Sequence, residues 1–289
     1  MFNKASELLE ICKEKNLNIS EVVIEKEIKS DGFTYDKLME KMRDTLQVMK
    51  NSATAALDKE VKSVSGLTGG NSKKMEDYKN SGKTFSGTFI NSAMAKAFST
   101  SEVNASMGKI VAAPTAGASG ILPSVLLSAQ EKLNLADDEL IKGLFTAAGI
   151  GEIIAKNATI SGAEGGCQAE CGAASAMAAG AIVEMAGGSP EAALNAAGFA
   201  LTNILGLVCD PIAGLVEYPC ALRNASGVIN AFISADMALA EVQSIVPFDE
   251  VVESMYKVGK AMPESLRETA LGGLAATATG KACAKRLLK

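Results

Sequence analysis

Residues 189–211 read SPEAALNAAGFALTNILGLVCDP, and the way this stretch is buried decides the fold. From Ala192 to Cys209 it carries no charged side chain, a run close to the length of a membrane span. Asn195, Thr202 and Asn203 interrupt it, Asp210 closes it, and the basic or Trp flanks that usually anchor a span are missing. Its start has the chemistry of a helix in a water-soluble protein. Ser189 is suited to the N-cap, Pro190 to the first helical position, and Glu191 to the positive end of the helix dipole. The stretch therefore predicts a helix buried in a protein core, ending at Asp210-Pro211, where proline disfavours helical backbone in the residue before it.

The same helical spacing recurs on both sides. Leu8, Leu9 and Cys12 share a face, and so do Leu38, Met39, Met42, Leu46 and Met49 on a helix starting near Asp36. Leu140, Ile141, Leu144, Phe145 and Ala148 repeat the pattern. Further helices are predicted from about Ala221 to Val242 and from Phe248 to about Ala261. Alternating β-branched runs are scarce, so the predicted class is mainly α. A Gly-, Ser- and Lys-rich stretch, residues 64–88, predicts a long loop. Its SGKT at residues 81–84 is not a phosphate-binding loop, because Asp77 stands where the first glycine is needed.

The 289 residues are 48% hydrophobic, enough for a substantial core. With 28 Lys and Arg against 33 Asp and Glu, no excess of positive charge is available for phosphates, and nucleic acid is not an expected partner. Charge is uneven: residues 1–107 hold 31 of the 61 charged side chains, whereas residues 108–245 hold 18. That middle part, rich in Gly and Ala, is the expected interior. Lys4, Glu7 and Glu10 break the apolar run a secretory signal would need, so a cytoplasmic location without membrane attachment is expected.

Six cysteines in a reducing compartment point to metal binding or catalysis before disulfides. Histidine is absent, which removes the commonest general base and nitrogen ligand. Three segments join reactive or polar residues to glycines at sharp turns. GKIVAAPTAGASGILP (108–123) presents Thr115 and Ser119 with free backbone N–H groups, suited to a small anion such as a carboxylate, or simply forms a tight turn. SGAEGGCQAECGAASAMAAG (161–180) places Cys167 before a helix, and LVCDPIAGLVEYPC (207–220) carries Cys209 and Cys220 at helix ends. Such positions keep thiols accessible. Spacing alone leaves open whether these cysteines gather on one metal or are buried thiols.

These segments resemble the iron-sulfur L-serine dehydratases, in which sequences like APTAGASGILP, SGAEGGCQAECG and CDPIAGLVEYPC recur. The resemblance runs from the SGLTGG loop (65–70) to LGGLAATATG (271–280). It implies a compact helical domain with Gly-rich loops around a buried [4Fe-4S] cluster, in a chain that works with a separate β chain. Residues 1–60 would form an N-terminal helical segment packed on a catalytic core spanning 61–289, one domain overall. It places the cluster ligands at Cys167, Cys209 and Cys220, with Cys171 and Cys12 as packing residues. Some single-chain relatives end in a cysteine that folds back onto the cluster; here Ala284 to Lys289 follow Cys283, which is not assigned as a ligand.

The implied reaction is deaminating dehydration of L-serine to pyruvate and ammonia, an open iron acting as Lewis acid on the hydroxyl. Thr115, Ser119, Asn157 and Arg223 are the expected serine contacts, with a structural acid as the other partner for Arg223. The base that removes the Cα proton would be a lysine, a carboxylate such as Glu164, or a group of the β chain, the last being favoured. Rival readings are an iron-sulfur lyase acting on L-cysteine or L-threonine, a pyridoxal-phosphate dehydratase using Lys109 or Lys156, and a non-catalytic metal-stabilised scaffold.

Overall fold

The computed structural model describes residues 1–287; Leu288 and Lys289, the end of the predicted core, lie outside the described residues. Among the described residues thirteen α-helices occur in chain order: α1 (Ala5–Lys15), α2 (Ile19–Asp31), α3 (Tyr35–Thr54), α4 (Asn71–Lys79), α5 (Gly87–Ala105), α6 (Ile121–Leu133) and α7 (Asp137–Asn157). They continue with α8 (Gly162–Gly165), α9 (Ala173–Met185), α10 (Pro190–Thr202), α11 (Cys220–Leu239), α12 (Phe248–Ala261) and α13 (Ala278–Leu287). Among the described residues only two isolated β-bridges occur, Lys62 with Gly69 and Cys209 with Arg267, so the mainly α expectation holds. No helix among them is long and apolar enough to cross a membrane.

At the centre lies α9, whose residues Ala173 to Val183 are all buried. A helix buried on every side needs no polar face. Its alanines and glycines let α6, α7, α10 and α11 close around it. At Gly180 a Cβ would come within 3.0 Å of the Ala193 carbonyl oxygen on α10 and would collide with Ile150 of α7. Ser175 completes the contact with α11 by donating to the Gly227 carbonyl at 3.0 Å. A second shell follows, with α2 on α7, α3 against α5, and α4 and α11 on α5.

Distant carboxylates cap two of the outer helices. Asp249 accepts from the Ala5 N–H at 2.7 Å and from Ser6, and Glu184 accepts from the N–H groups of Ile19 at 3.0 Å and Ser20 at 3.2 Å. Each satisfies backbone donors that the first turn of a helix leaves free, with the favourable sign for the dipole.

Two boundaries differ from the sequence reading. The helix beginning at Ser189 stops at Thr202 instead of continuing to Asp210. Asn203 is drawn aside to Asn230 at 2.8 Å, and Gly206, at φ 86°, takes left-handed backbone while donating its N–H to Gln168 at 2.9 Å. The expected loop 64–88 contains α4, because Glu102, buried on α5, accepts from the N–H groups of Asn71 and Ser72 and so caps a helix its own sequence supports weakly.

Candidate functional site

The three glycine-rich segments meet beside the N-terminal ends of α9 and α11. In the first, the chain leaves α5, passes a cis Ala113–Pro114 bond and makes a 3₁₀ turn, Ala116–Ala118, before α6. Asn224 of α11 fastens this loop: it accepts from the Gly120 N–H at 2.8 Å and donates to the carbonyl oxygens of Gly117 at 2.6 Å and Cys220 at 2.8 Å. Cys220, the first residue of α11, is thereby tied to the loop that carries Thr115.

In the second segment, α8 leads to Cys167 and then to a π-helical turn, Gln168–Gly172, that widens the backbone before α9. Such turns are commonly found at functional sites. Gln168 is fully buried, donates to the Met255 carbonyl at 2.9 Å and receives the Gly206 N–H, so it locks the turn between α12 and the chain entering the third segment. There, Cys209 is held by its backbone: its N–H donates to Leu266 at 2.8 Å, and its carbonyl accepts from Glu268 at 2.7 Å. Next to it, Asp210 accepts from the Leu274 N–H at 2.7 Å and lies 2.8 Å from Arg223 in a buried ion pair, close but not aligned as a hydrogen bond.

Cys167, Cys171, Cys209 and Cys220 are all buried. The sulfurs of Cys167 and Cys171 are 3.3 Å apart. Hydrogen bonds from Cys171 and Cys209 hold the Cys167 thiol well below its usual range, with help from the Arg223 charge. Cys171 and Cys209 are pushed the other way, first by that hydrogen bond with Cys167 and then by burial. Burial, with the charges of Cys167 and Glu170, raises Cys220 to about 12. Thiols buried together oppose one another's ionisation, so lowering one raises the others.

The remaining expected residues are placed as follows. Thr115 donates its hydroxyl to Glu170 Oε1 at 2.7 Å. The hydroxyl of buried Ser119 is taken by the Ala116 carbonyl of its own turn at 2.8 Å. Arg223 donates to the Val208 carbonyl at 2.8 Å and pairs with Asp210, the structural acid of the alternative reading. Asn157 is exposed at the end of α7, and its amide hydrogens go to Asn3 at 2.7 Å and Ile153 at 2.8 Å. Glu164 is exposed on α8. Cys283, half-buried on α13, lies on a pocket with Ala278, Thr279 and Arg286.

Sequence reasoning overlooked Glu170. It is buried in the π-helical turn, touches both Thr115 and Cys209, the latter at 3.8 Å, and burial pushes its carboxyl up to about 7. Its signal was present: between Gly165 and Val183 it is the one charged residue, three positions after Cys167. Beside the cysteine segments, Leu67, Ile212, Tyr218, Leu274, Thr277 and Gly280 line a cleft of about 300 Å³ between the 65–70 loop and the C-terminal segment. Among the described residues no three His, Cys, Asp or Glu side chains surround a single-ion site.

Comparison with known proteins gives a consistent result. A family model described as serine dehydratase alpha chain matches residues 14–275. The chain is 55% identical over 289 residues to the L-serine dehydratase, alpha chain, of Peptoniphilus asaccharolyticus, covering 100% of this chain and 99% of that protein. It is 51% identical over 287 residues to the probable L-serine dehydratase, alpha chain, of Bacillus subtilis, covering 99% and 95%. To the L-serine dehydratase of Helicobacter pylori it is 40% identical over 282 residues, covering 96% of this chain but 62% of that longer protein.

Proposed function

Because this chain belongs to the serine dehydratase alpha chain family, we propose that it is the cluster-binding chain of an L-serine ammonia-lyase that forms pyruvate and ammonia. The observation that carries the reading is that Cys167, Cys209 and Cys220 are all buried on loops that meet beside Thr115, near enough for charge on Cys167 to raise both other thiols. Their donor chemistry fits a [4Fe-4S] group: thiolates are its usual ligands, and positive charge among them relieves the conflict that raises Cys209 and Cys220. Among the described residues no single-ion site occurs, and a polynuclear group needs none, since it takes each sulfur on a different metal atom. When bound, such a cluster supplies a Lewis-acidic iron that makes a hydroxyl a better leaving group.

The chain's own residues hold the site in place. Asn224 and Gln168 fix the loops on which the sulfurs and Thr115 stand. The Arg223–Asp210 pair sets the 208–210 segment and lends positive charge to Cys167. No histidine is present, and Glu164 faces outward, which supports a β-chain group as the base for the Cα proton. Lys109 is exposed and Lys156 is paired with Glu152, so neither is set for a Schiff base with pyridoxal phosphate. The alpha-chain description of the relatives supports a separate β chain as partner.

The test is anaerobic purification with the β chain, with iron, sulfide and pyruvate from L-serine measured. Cys209→Ser is expected to abolish both the brown absorbance and turnover, while Cys171→Ala keeps both. The ligand assignment fails if Cys171 is essential and Cys209 is dispensable. Full turnover by iron-free protein ends the reading altogether.

A further inference from the structure

Glu102, Glu170, Asp210 and Glu217 are the buried carboxylates among the described residues, and Glu184 is half-buried. Glu102 and Glu184 cap helix N-termini, Asp210 pairs with Arg223, and Glu217 accepts from the Thr68 hydroxyl at 2.9 Å. Glu170 differs in facing a cysteine sulfur as well as a hydroxyl. Its strong donor is a hydroxyl, that of Thr115, and its other oxygen faces the Cys209 sulfur. Gly117 of the first glycine-rich segment and Gly162 of its own segment approach it closely: a Cβ at Gly117 would lie a tight 3.1 Å from Oε1, and one at Gly162 would meet Oε2 at 2.6 Å, where one of the two must shift. Burying a carboxylate is unfavourable, and one hydroxyl donor compensates for it poorly. The arrangement makes sense where the carboxylate determines how a neighbouring group is presented.

We propose that Glu170 is a positioning residue for the dehydration: it orients the Thr115 hydroxyl and holds its loop in place against Cys209. This rests on the serine-dehydrating function proposed above. A threonine oxygen whose hydrogen is given to Glu170 has only lone pairs left to offer. It therefore accepts from a donor, and the donor an amino-acid substrate brings is its α-ammonium group. With the loop held against the sulfur-bearing segment, substrate orientation is coupled to the place where the hydroxyl must leave. Misplacement by about 1 Å is enough to cost on the order of 10²-fold in rate.

The experiment uses the holoenzyme with its β chain and four variants: Glu170→Ala, Glu170→Gln, Thr115→Val and the double change Glu170→Ala/Thr115→Val. Iron, sulfide, visible absorbance and Tm are read beside kcat and KM. We expect Glu170→Ala and Thr115→Val each to lower kcat/KM by on the order of 10²-fold, with unchanged iron and absorbance. Glu170→Gln, which keeps an acceptor for Thr115, should recover to within about tenfold of the parent, and the double variant should be no worse than Thr115→Val, because the two residues act as one unit.

Additive losses, a Glu170→Gln variant as impaired as Glu170→Ala, or iron lost along with activity would each overturn the proposal. If Glu170→Ala does not fold, Thr115→Val still decides: full activity at normal Tm overturns it, and the expected loss supports it. A parent enzyme replete in iron that makes no pyruvate refutes the proposed function itself, an outcome distinct from an active parent with additive variants.

Discussion

Residues Ala173–Val183 and Cys167–Gly172 are consecutive and almost wholly buried, yet they are held by different forces. The helix α9 is held by close packing of small side chains, which is non-directional and accumulates over many contacts. The turn before it contains thiols, a carboxylate and a glutamine, each of which needs a particular partner at a particular angle. A core of the first kind stabilises the molecule; a site of the second kind draws on that stability to hold ionisable groups where water cannot satisfy them. The contrast predicts how each region responds to substitution.

The largest effect should come from the polar side. Asp210→Ala leaves Arg223 buried without its partner and removes the acceptor for the Leu274 N–H. A loss of about 3–5 kcal/mol is expected from breaking such a pair, read as a lowered urea midpoint of the metal-free chain. A change within 0.5 kcal/mol, the range of ordinary surface substitutions, would show that this region is not held by that contact.

Ile150→Ala tests the apolar side, because Ile150 of α7 fills the groove over Gly180 of α9. Its expected cost is about 2–5 kcal/mol from lost burial and the cavity left behind, and Ile150→Val should cost only about 0.5–1.5 kcal/mol. Equal losses for the two would mean that packing volume is not what holds α9.

The smallest effect concerns pH. Burial raises the Glu102 carboxyl above its ordinary 4.5, although the N–H groups of Asn71 and Ser72 oppose the shift. A carboxyl raised in the folded state favours folding most where it is protonated. Its contribution is full below pH 4.5 and is lost as pH rises through the folded-state value. Glu102→Gln, which still has an acceptor for Asn71, should therefore flatten the decline of Tm with rising pH in that window. An unchanged slope would place the proton uptake elsewhere.

Spacing was a reliable guide wherever one helix face was apolar. The periodic sets at Leu8–Cys12, Leu38–Met49 and Leu140–Ala148 fall on α1, α3 and α7. It failed where a distant side chain settles the matter. The helix from Ser189 is apolar past Thr202, and its end is imposed by Asn230 and Gln168. Helix α4 lies in a stretch that reads as loop because its cap, Glu102, comes from another helix. In the site, the cysteines and Thr115 were visible as motif residues, whereas the role of Glu170 was not, since a lone acid in an apolar stretch does not reveal its partner.

The amino-acid sequence by itself determined the helical class, the family and the residues able to supply sulfur and hydroxyl groups, because these depend on residue type and local periodicity. Only the tertiary structure decided which carboxylate meets Thr115, that Arg223 is paired with Asp210, and that Asn157 is turned to the N-terminal segment. Those outcomes depend on contacts between residues 13, 55 and 154 positions apart, and such contacts exist only once the chain has packed around α9.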